Sequence, residues 1–260
     1  TAVRNLLATG VKLADIAILD NFCWSSSNDS VRLWELKESV KSLYDTSVAY
    51  GTPLISGKDS MFNDFKGYDA KGNPTHIAAL PTLLVSAMGL IADARDTISP
   101  DFKVAGDSVY LIGETKRELG GSELYLHLAD QEKNPMAIGG VVPQVDTKKN
   151  KTLYALYEKA VGKKLIASSV ALGHGGLAYA LAKSALSGML GVSVDITRVG
   201  KNLTPLEALF SESQGRMLVS VSAKNKKAFE AIMKNSAVHL GEVGGETLAI
   251  ATGGRMIAKV

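Results

Sequence analysis

Two hydrophobic periods alternate along this chain. Residues 1–10 read as a helix that ends at Gly10. Ile16 to Leu19 is a short apolar run that ends at Asp20–Asn21, and it predicts a strand. Serines and Asn28–Asp29 then mark a loop. Leu36, Val40, Leu43, Tyr44 and Ser47 recur at helical spacing, with Lys37, Glu38, Lys41 and Asp45 opposite them. That pattern predicts an amphipathic helix lying on a sheet, stopped by Gly51 and Pro53. Leu54–Ile55 predicts a strand that runs into a tight polar loop, Ser56-Gly-Lys-Asp-Ser60. Residues 66–73 are polar and contain glycine, as a hairpin or loop does. Leu83 to Ala92, the longest apolar stretch, is broken only by Ser86 and Gly89 and predicts a buried strand.

Residues 93–106 are polar and contain a proline, which makes them the expected boundary between a first domain, 1–100, and a second, 101–260. Beyond it, strands are expected at 109–112, 165–170, 192–196, 217–221, 238–243, 248–251 and 256–258. Helices are expected at 152–161, 177–187 and 228–234. Gly244–Gly245 and Gly253–Gly254 supply turns for antiparallel hairpins near the end. The fold class expected is α/β (α+β), with mixed sheets and packed helices.

Composition narrows the classes. Hydrophobic residues make up 46% and charged residues 21% of the 260, enough for a sizeable core. Twenty-nine basic against 26 acidic residues leave only +3, interspersed, so neither nucleic acid nor a membrane surface is an expected partner. Cys23 is the single cysteine, which fits a reducing cytoplasm. No apolar run approaches 18 residues. The chain opens on Thr1 without a leader, and the expectation is a fragment of a longer polypeptide.

Five segments carry candidate chemistry, each with a plain alternative. In Ser56–Ser60, Gly57 lets backbone approach a ligand, Lys58 offsets phosphate charge, Asp59 can hold magnesium and Ser60 can donate to a substrate oxygen. The alternative is a polar turn; the loop is not a Walker A motif. Asp20, at a strand end, is either a magnesium or ribose contact or the start of an Asx turn. Asn5 either faces a ligand or lies on a helix surface. Gly173-His-Gly-Gly176 enters a helix, as an anion cradle or a tight connection. In Phe210-Ser-Glu-Ser-Gln-Gly-Arg216, residues Glu212, Ser213, Gln214 and Arg216 line a polar pocket or form a turn.

Taken in order, Ala2-Val-Arg-Asn-Leu-Leu, Asp20-Asn21, Gly51-Thr-Pro-Leu-Ile-Ser-Gly-Lys-Asp-Ser-Met, Gly106-Asp107, Gly121-Ser122, Gly175-Gly-Leu-Ala and Leu209-Phe-Ser-Glu-Ser-Gln-Gly-Arg216 resemble the phosphoribosylformylglycinamidine synthases of purine biosynthesis. The resemblance covers nearly the whole chain. It implies the C-terminal half of the synthetase, a two-domain half of the aminoimidazole-ribotide-synthetase-like kind. It further implies ATP and Mg2+ as cofactors and formylglycinamide ribonucleotide as substrate. The implied partners are the synthetase's N-terminal half, a glutaminase domain or subunit, and a dimer or larger complex. By position it implies ATP contacts at Asp20 and Gly57, metal contacts at Asn5, Lys58 and Asp59, and substrate contacts at Ser60, Glu212, Ser213 and Gln214. Lys58 stands where many small-type members have asparagine. The family's catalytic histidine lies in the other half, and His76, His127, His174 and His239 match no catalytic motif. Val170-Ala-Leu-Gly-His-Gly-Gly176 has lost both acidic positions of the family's segment, at Ala171 and His174, which implies weakened or rearranged binding of an auxiliary nucleotide. The alternatives are a non-catalytic half that docks on the catalytic one, or a related aminoimidazole ribotide or selenophosphate synthetase.

Overall fold

The computed structural model describes residues 1–134 and 138–260. It contains two compact units. One comprises Thr1, 3–10 and 91–260, and the other Ala2 and 11–90.

In the smaller unit, β1 (Ile16–Cys23) is the centre of a three-stranded sheet. β2 (Leu54–Ser60) pairs with it in parallel and β5 (Thr82–Gly89) pairs antiparallel. Ile16, Ile18 and Phe22 are buried at alternate positions, and Phe22 packs on the buried Trp24 with ring centroids 6.0 Å apart. α2 (Ser30–Tyr50) is capped by Asp29, whose carboxylate accepts from the N–H groups of Val31 and Arg32, and Gly51 closes its C-terminus. A hairpin of β3 (Phe65–Tyr68) and β4 (Pro74–Ile77) is turned by Asp69, which accepts from Lys71 N and Asn73 N.

Four expectations change here. The strand does not end at Asp20–Asn21. These residues pair with Val85 and Leu84 on one side and with Gly57 and Lys58 on the other, so β1 continues to Cys23. Ser56–Ser60 is no loop but extended strand, because those same pairings satisfy its backbone. β5 is not buried on both faces: Leu84 and Met88 are 57% and 55% exposed, because only alternate residues turn inward. The α2 stripe is also open, with Val40 and Tyr44 exposed.

In the larger unit a seven-stranded sheet runs in the order β12-β11-β8-β10-β6-β9-β7. Its strands are β6 (Ser108–Ile112), β7 (Ser168–Ala171), β8 (Val192–Asp195), β9 (Met217–Val221), β10 (Ala237–Val243), β11 (Leu248–Thr252) and β12 (Arg255–Lys259). β6 and β9 are buried at every position, Ser108 and Ser220 included, and their other residues are apolar or aromatic. One face packs on α5 (Gly176–Gly188) and α6 (Pro205–Phe210), with Leu177, Leu181, Ala208 and Leu209 joining Val109, Leu111, Val194 and Leu218 in one core. α1 (Ala2–Ala8), α3 (Glu123–Gln131), α4 (Thr147–Gly162) and α7 (Lys226–Met233) complete the helices used below. α4 starts five residues before its apolar stripe because Asp146 caps it through Lys149 N, 2.9 Å away. Of the two glycine pairs, Gly253–Gly254 turns a hairpin and Gly244–Gly245 does not. β10 and β11 do not pair, because β8 lies between them, parallel to β11. No helix of the described residues is long and apolar enough to cross a membrane.

One half-buried titrating group yields a test of this unit. On β10, His239 packs edge-on to Tyr110 at 5.0 Å, and its Nε2 is 3.5 Å from Lys226 Nζ. Burial, then Lys226 and Arg198, hold its pKa below 6.5, against the opposing pull of Glu230 and Glu242. The folded pKa is therefore below the unfolded one. The stability His239 contributes is present above pH 6.5 and lost as pH falls through the folded value. Urea unfolding should show declining stability below about pH 6.5, and His239→Gln should flatten that limb. A limb unchanged by the substitution would contradict this origin.

Candidate functional site

The candidate residues fall into two groups, one in each unit. In the smaller unit, parity decides what can act together. Asp20 pairs with Gly57 and Phe22 with Asp59, so Asp20, Gly57 and Asp59 belong to one face of the sheet. Lys58 and Ser60 belong to the other, beside Asn21 and Cys23. The Lys58 ammonium donates to Ser60 Oγ at 3.3 Å. Gly57 makes room for its neighbour: a Cβ there would stand 2.5 Å from Asp20 Oδ1. Thus the glycine that the sequence suggests for ligand approach also seats a carboxylate. Asn63, which sequence reasoning passed over, secures the end of β2 by donating to Ser60 O at 2.9 Å and to Cys23 Sγ at 3.4 Å.

Magnesium asks for hard oxygen donors. Lys58, a protonated amine, offers none and suits a phosphate oxygen instead. Asp20 and Asp59 supply carboxylates on one face, two positions apart along adjoining strands. Among the described residues no group of three or more His, Cys, Asp or Glu could hold a metal ion. A magnesium ion here would draw its other ligands from the phosphates and water it arrives with.

In the larger unit, Asn5 is exposed on α1, while its neighbour Arg4 is buried. Arg4 donates to Leu172 O at 2.5 Å and to Gln214 Oε1 at 2.9 Å, so it joins α1 to the Ser211–Gln214 segment. No sequence signal marked it, since the Ala-Val-Arg-Asn match drew attention to Asn5. Arg216 organises the same segment from inside. Its Nε donates to Ser213 O at 2.9 Å, Nη1 to Thr115 Oγ1 at 3.0 Å and Nη2 to Ser211 O. Burial, and next the charge of Arg4, pull its pKa down to about 9.

The three candidate side chains between them have distinct surroundings. Glu212 Oε1 accepts from Glu123 N and from Gly175 N, both at 2.9 Å. Ser213 Oγ accepts from Lys116 N at 3.0 Å. Gln214 donates to Glu212 O at 3.0 Å. His174 Nδ1 lies 2.9 Å from Glu123 Oε1, so the glycine loop stands among carboxylates.

Ser213 and Gln214 also line a cavity of about 1080 Å³, open to solvent beside the start of α4. Lys116, Lys148, Arg198 and Lys201 contribute positive charge to its wall. Glu118, 4% exposed, contributes a carboxylate whose Oε1 accepts from Gln144 N at 3.1 Å, while Oε2 has no hydrogen-bond partner among the described residues. A ligand carrying anionic oxygens together with a hydroxyl or N–H donor would match both kinds of group.

Comparison with known proteins shows what the chain as a whole is similar to. Residues 104–252 match the family described as AIR synthase related protein, C-terminal domain. The chain is 35% identical over 248 residues to the phosphoribosylformylglycinamidine synthase subunit PurL of Thermococcus sibiricus, covering 95% of this chain and 32% of that protein. It is 34% identical over 252 residues to the subunit of the same name from Methanocaldococcus jannaschii, covering 96% and 32%. The chain therefore spans about a third of the length of these curated relatives. Thermotoga maritima PurL complexed with FGAR shares the fold, with a TM-score of 0.72 at 20% identity over 99% of this chain and 40% of that one. The same protein complexed with ATP gives 0.69 at 19%, over 99% and 38%. In the PurLQS structure it gives 0.67 at 20%, over 99% and 39%.

Proposed function

The chain belongs to the AIR synthase related protein family, and from that premise we propose that it is the C-terminal half of an ATP-dependent synthetase that makes an amidine from formylglycinamide ribonucleotide and ammonia. The observation that carries the reading is 34–35% identity to two PurL subunits across nearly all of this chain. In the reaction, ATP phosphorylates the amide oxygen and ammonia displaces the phosphate. The protein's task is to position the reactants and neutralise the transferring phosphoryl group. Lys58 and Ser60 offer a cation and a hydroxyl to phosphate oxygens on one face of the small sheet. Asp20 and Asp59 offer carboxylates to a magnesium ion on the other. Ser213 and Gln214 line the wall of the basic cavity, held there by their bonds to Lys116, Arg4 and Glu212. The rest of the synthetase, including its N-terminal half, and a glutaminase supplying ammonia, are the proposed partners, in the cytoplasm. The exposed face of β5 and the outer edge of β2 suit pairing with another part of such an assembly.

The purified chain should form no amidine from ATP, formylglycinamide ribonucleotide and ammonium. Exchanged for the matching third of a full-length relative, it should support turnover. Turnover by the chain alone, or none in the exchange despite folding, would count against the reading. Within that exchange, Lys58→Ala should weaken ATP binding roughly tenfold, through loss of a charge-assisted contact, without changing the melting temperature. Unchanged affinity by calorimetric titration would leave Lys58 outside the site.

One observation favours a second reading, a half that docks without catalysing. The N–H that opens the glycine loop at Gly175 is already bonded to Glu212, and His174 stands beside it.

A further inference from the structure

We propose that Glu212 is a built-in anion that joins the starts of α3 and α5 and keeps phosphate off the glycine loop. Glycine loops that open a helix commonly hold an oxyanion, because backbone N–H groups converge there at the positive end of the helix dipole. Here two such helix starts converge. Glu123 is the first residue of α3, which has 9 residues, and Gly175 caps α5, which has 13. Their N–H groups both donate to the same Glu212 oxygen at 2.9 Å. The anion at this position is therefore a side chain of the chain itself.

That side chain is held in place. Glu212 N donates to Glu118 O at 3.1 Å, and Gln214, itself fixed by Arg4, donates to Glu212 O. Arg216 binds the carbonyls on either side, at Ser211 and Ser213. A second carboxylate, Glu123, faces the loop through His174. An incoming phosphate would meet no free N–H at Gly175 and two acidic neighbours. The glycine loop thus acts as a structural joint, and phosphate handling falls to other surfaces. The inference does not rest on the proposed reaction, and it reads Glu212 as a positioning residue in place of the substrate contact that the family resemblance implies.

Removing the carboxylate should create a phosphate site. In the full chain, titration with inorganic phosphate at constant ionic strength should leave the amide NMR signals of Gly175 and Glu123 unmoved in the wild type. In Glu212→Ala the same titration should move both signals saturably, with affinity at least about tenfold above the wild type. Chloride at equal strength should not reproduce this. Glu212→Gln keeps an acceptor oxygen for the two N–H groups and removes the charge. It should therefore gain weaker phosphate-dependent shifts than the alanine variant, whereas Glu212→Ser, too short to reach the two N–H groups, serves if the alanine variant does not fold. Saturable shifts in the wild type would overturn the proposal. So would a folded alanine or serine variant whose Gly175 and Glu123 signals ignore phosphate.

Discussion

Arg216→Ala should lower the stability of this chain by at least about 3 kcal/mol, because it strands three buried groups at once, each costing about 1–3 kcal/mol when left unsatisfied. The carbonyls of Ser211 and Ser213 and the hydroxyl of Thr115 all accept from the one guanidinium, which is fully buried. For a chain of this size the loss corresponds to a fall of roughly 6–12 °C in melting temperature. Arg216→Lys should also destabilise, because a point-like ammonium cannot serve three acceptors spread across a planar fork. Thr115→Val removes one of the three bonds and should cost only about 1 kcal/mol. The Gly175 amide provides a second readout, since Arg216 fixes the carbonyls flanking Glu212. A shift of less than about 2 °C for Arg216→Ala would mean that the Ser211–Gln214 segment is held by other contacts.

That dependence explains why the site was only partly legible in the sequence. Strands at 109–112, 217–221 and 238–243 were readable because buried apolar runs bounded by polar residues leave few alternatives, and the strands at those places match closely. Residues 56–60 misled because polarity, read locally, suggests a loop. What makes them strand is the long-range register with β1, a fact about Asp20–Cys23 rather than about Ser56–Ser60. Parity has the same origin. Spacing alone grouped Gly57, Lys58, Asp59 and Ser60 as one cluster, and an extended backbone divides them between two faces. The hairpin expected at Gly244–Gly245 failed because β8, at Val192–Asp195, inserts between the two strands, and no local turn signal encodes that. Arg4 and Arg216 were harder still. A buried arginine is recognised by the carbonyls it meets, and those come from segments far away in sequence.

Gly176→Ala should be among the most damaging single-methyl additions to this chain, and it separates backbone geometry from side-chain chemistry in the glycine loop. Gly176 has φ +59, in the left-handed region. A Cβ there would lie 2.6 Å from both Leu209 O and Ser211 O. Neither obstacle is a flexible side chain. The left-handed conformation alone costs an alanine about 1–2 kcal/mol, and forcing α5 away from the end of α6 adds about 1–3 kcal/mol of overpacking. The expected loss is about 2–5 kcal/mol, read by urea unfolding. Gly173→Ala, three residues earlier, is the control: its Cβ would meet nothing within 4 Å and its φ is not left-handed, so its cost should stay within about 0.5 kcal/mol. If Gly176 were there to admit a ligand, its substitution would leave stability near that of the control and remove binding instead. A large loss for Gly176→Ala beside a silent Gly173→Ala assigns the glycine to the tight seat of α5 against Leu209 and Ser211, the seat that brings Gly175 to the Glu212 carboxylate.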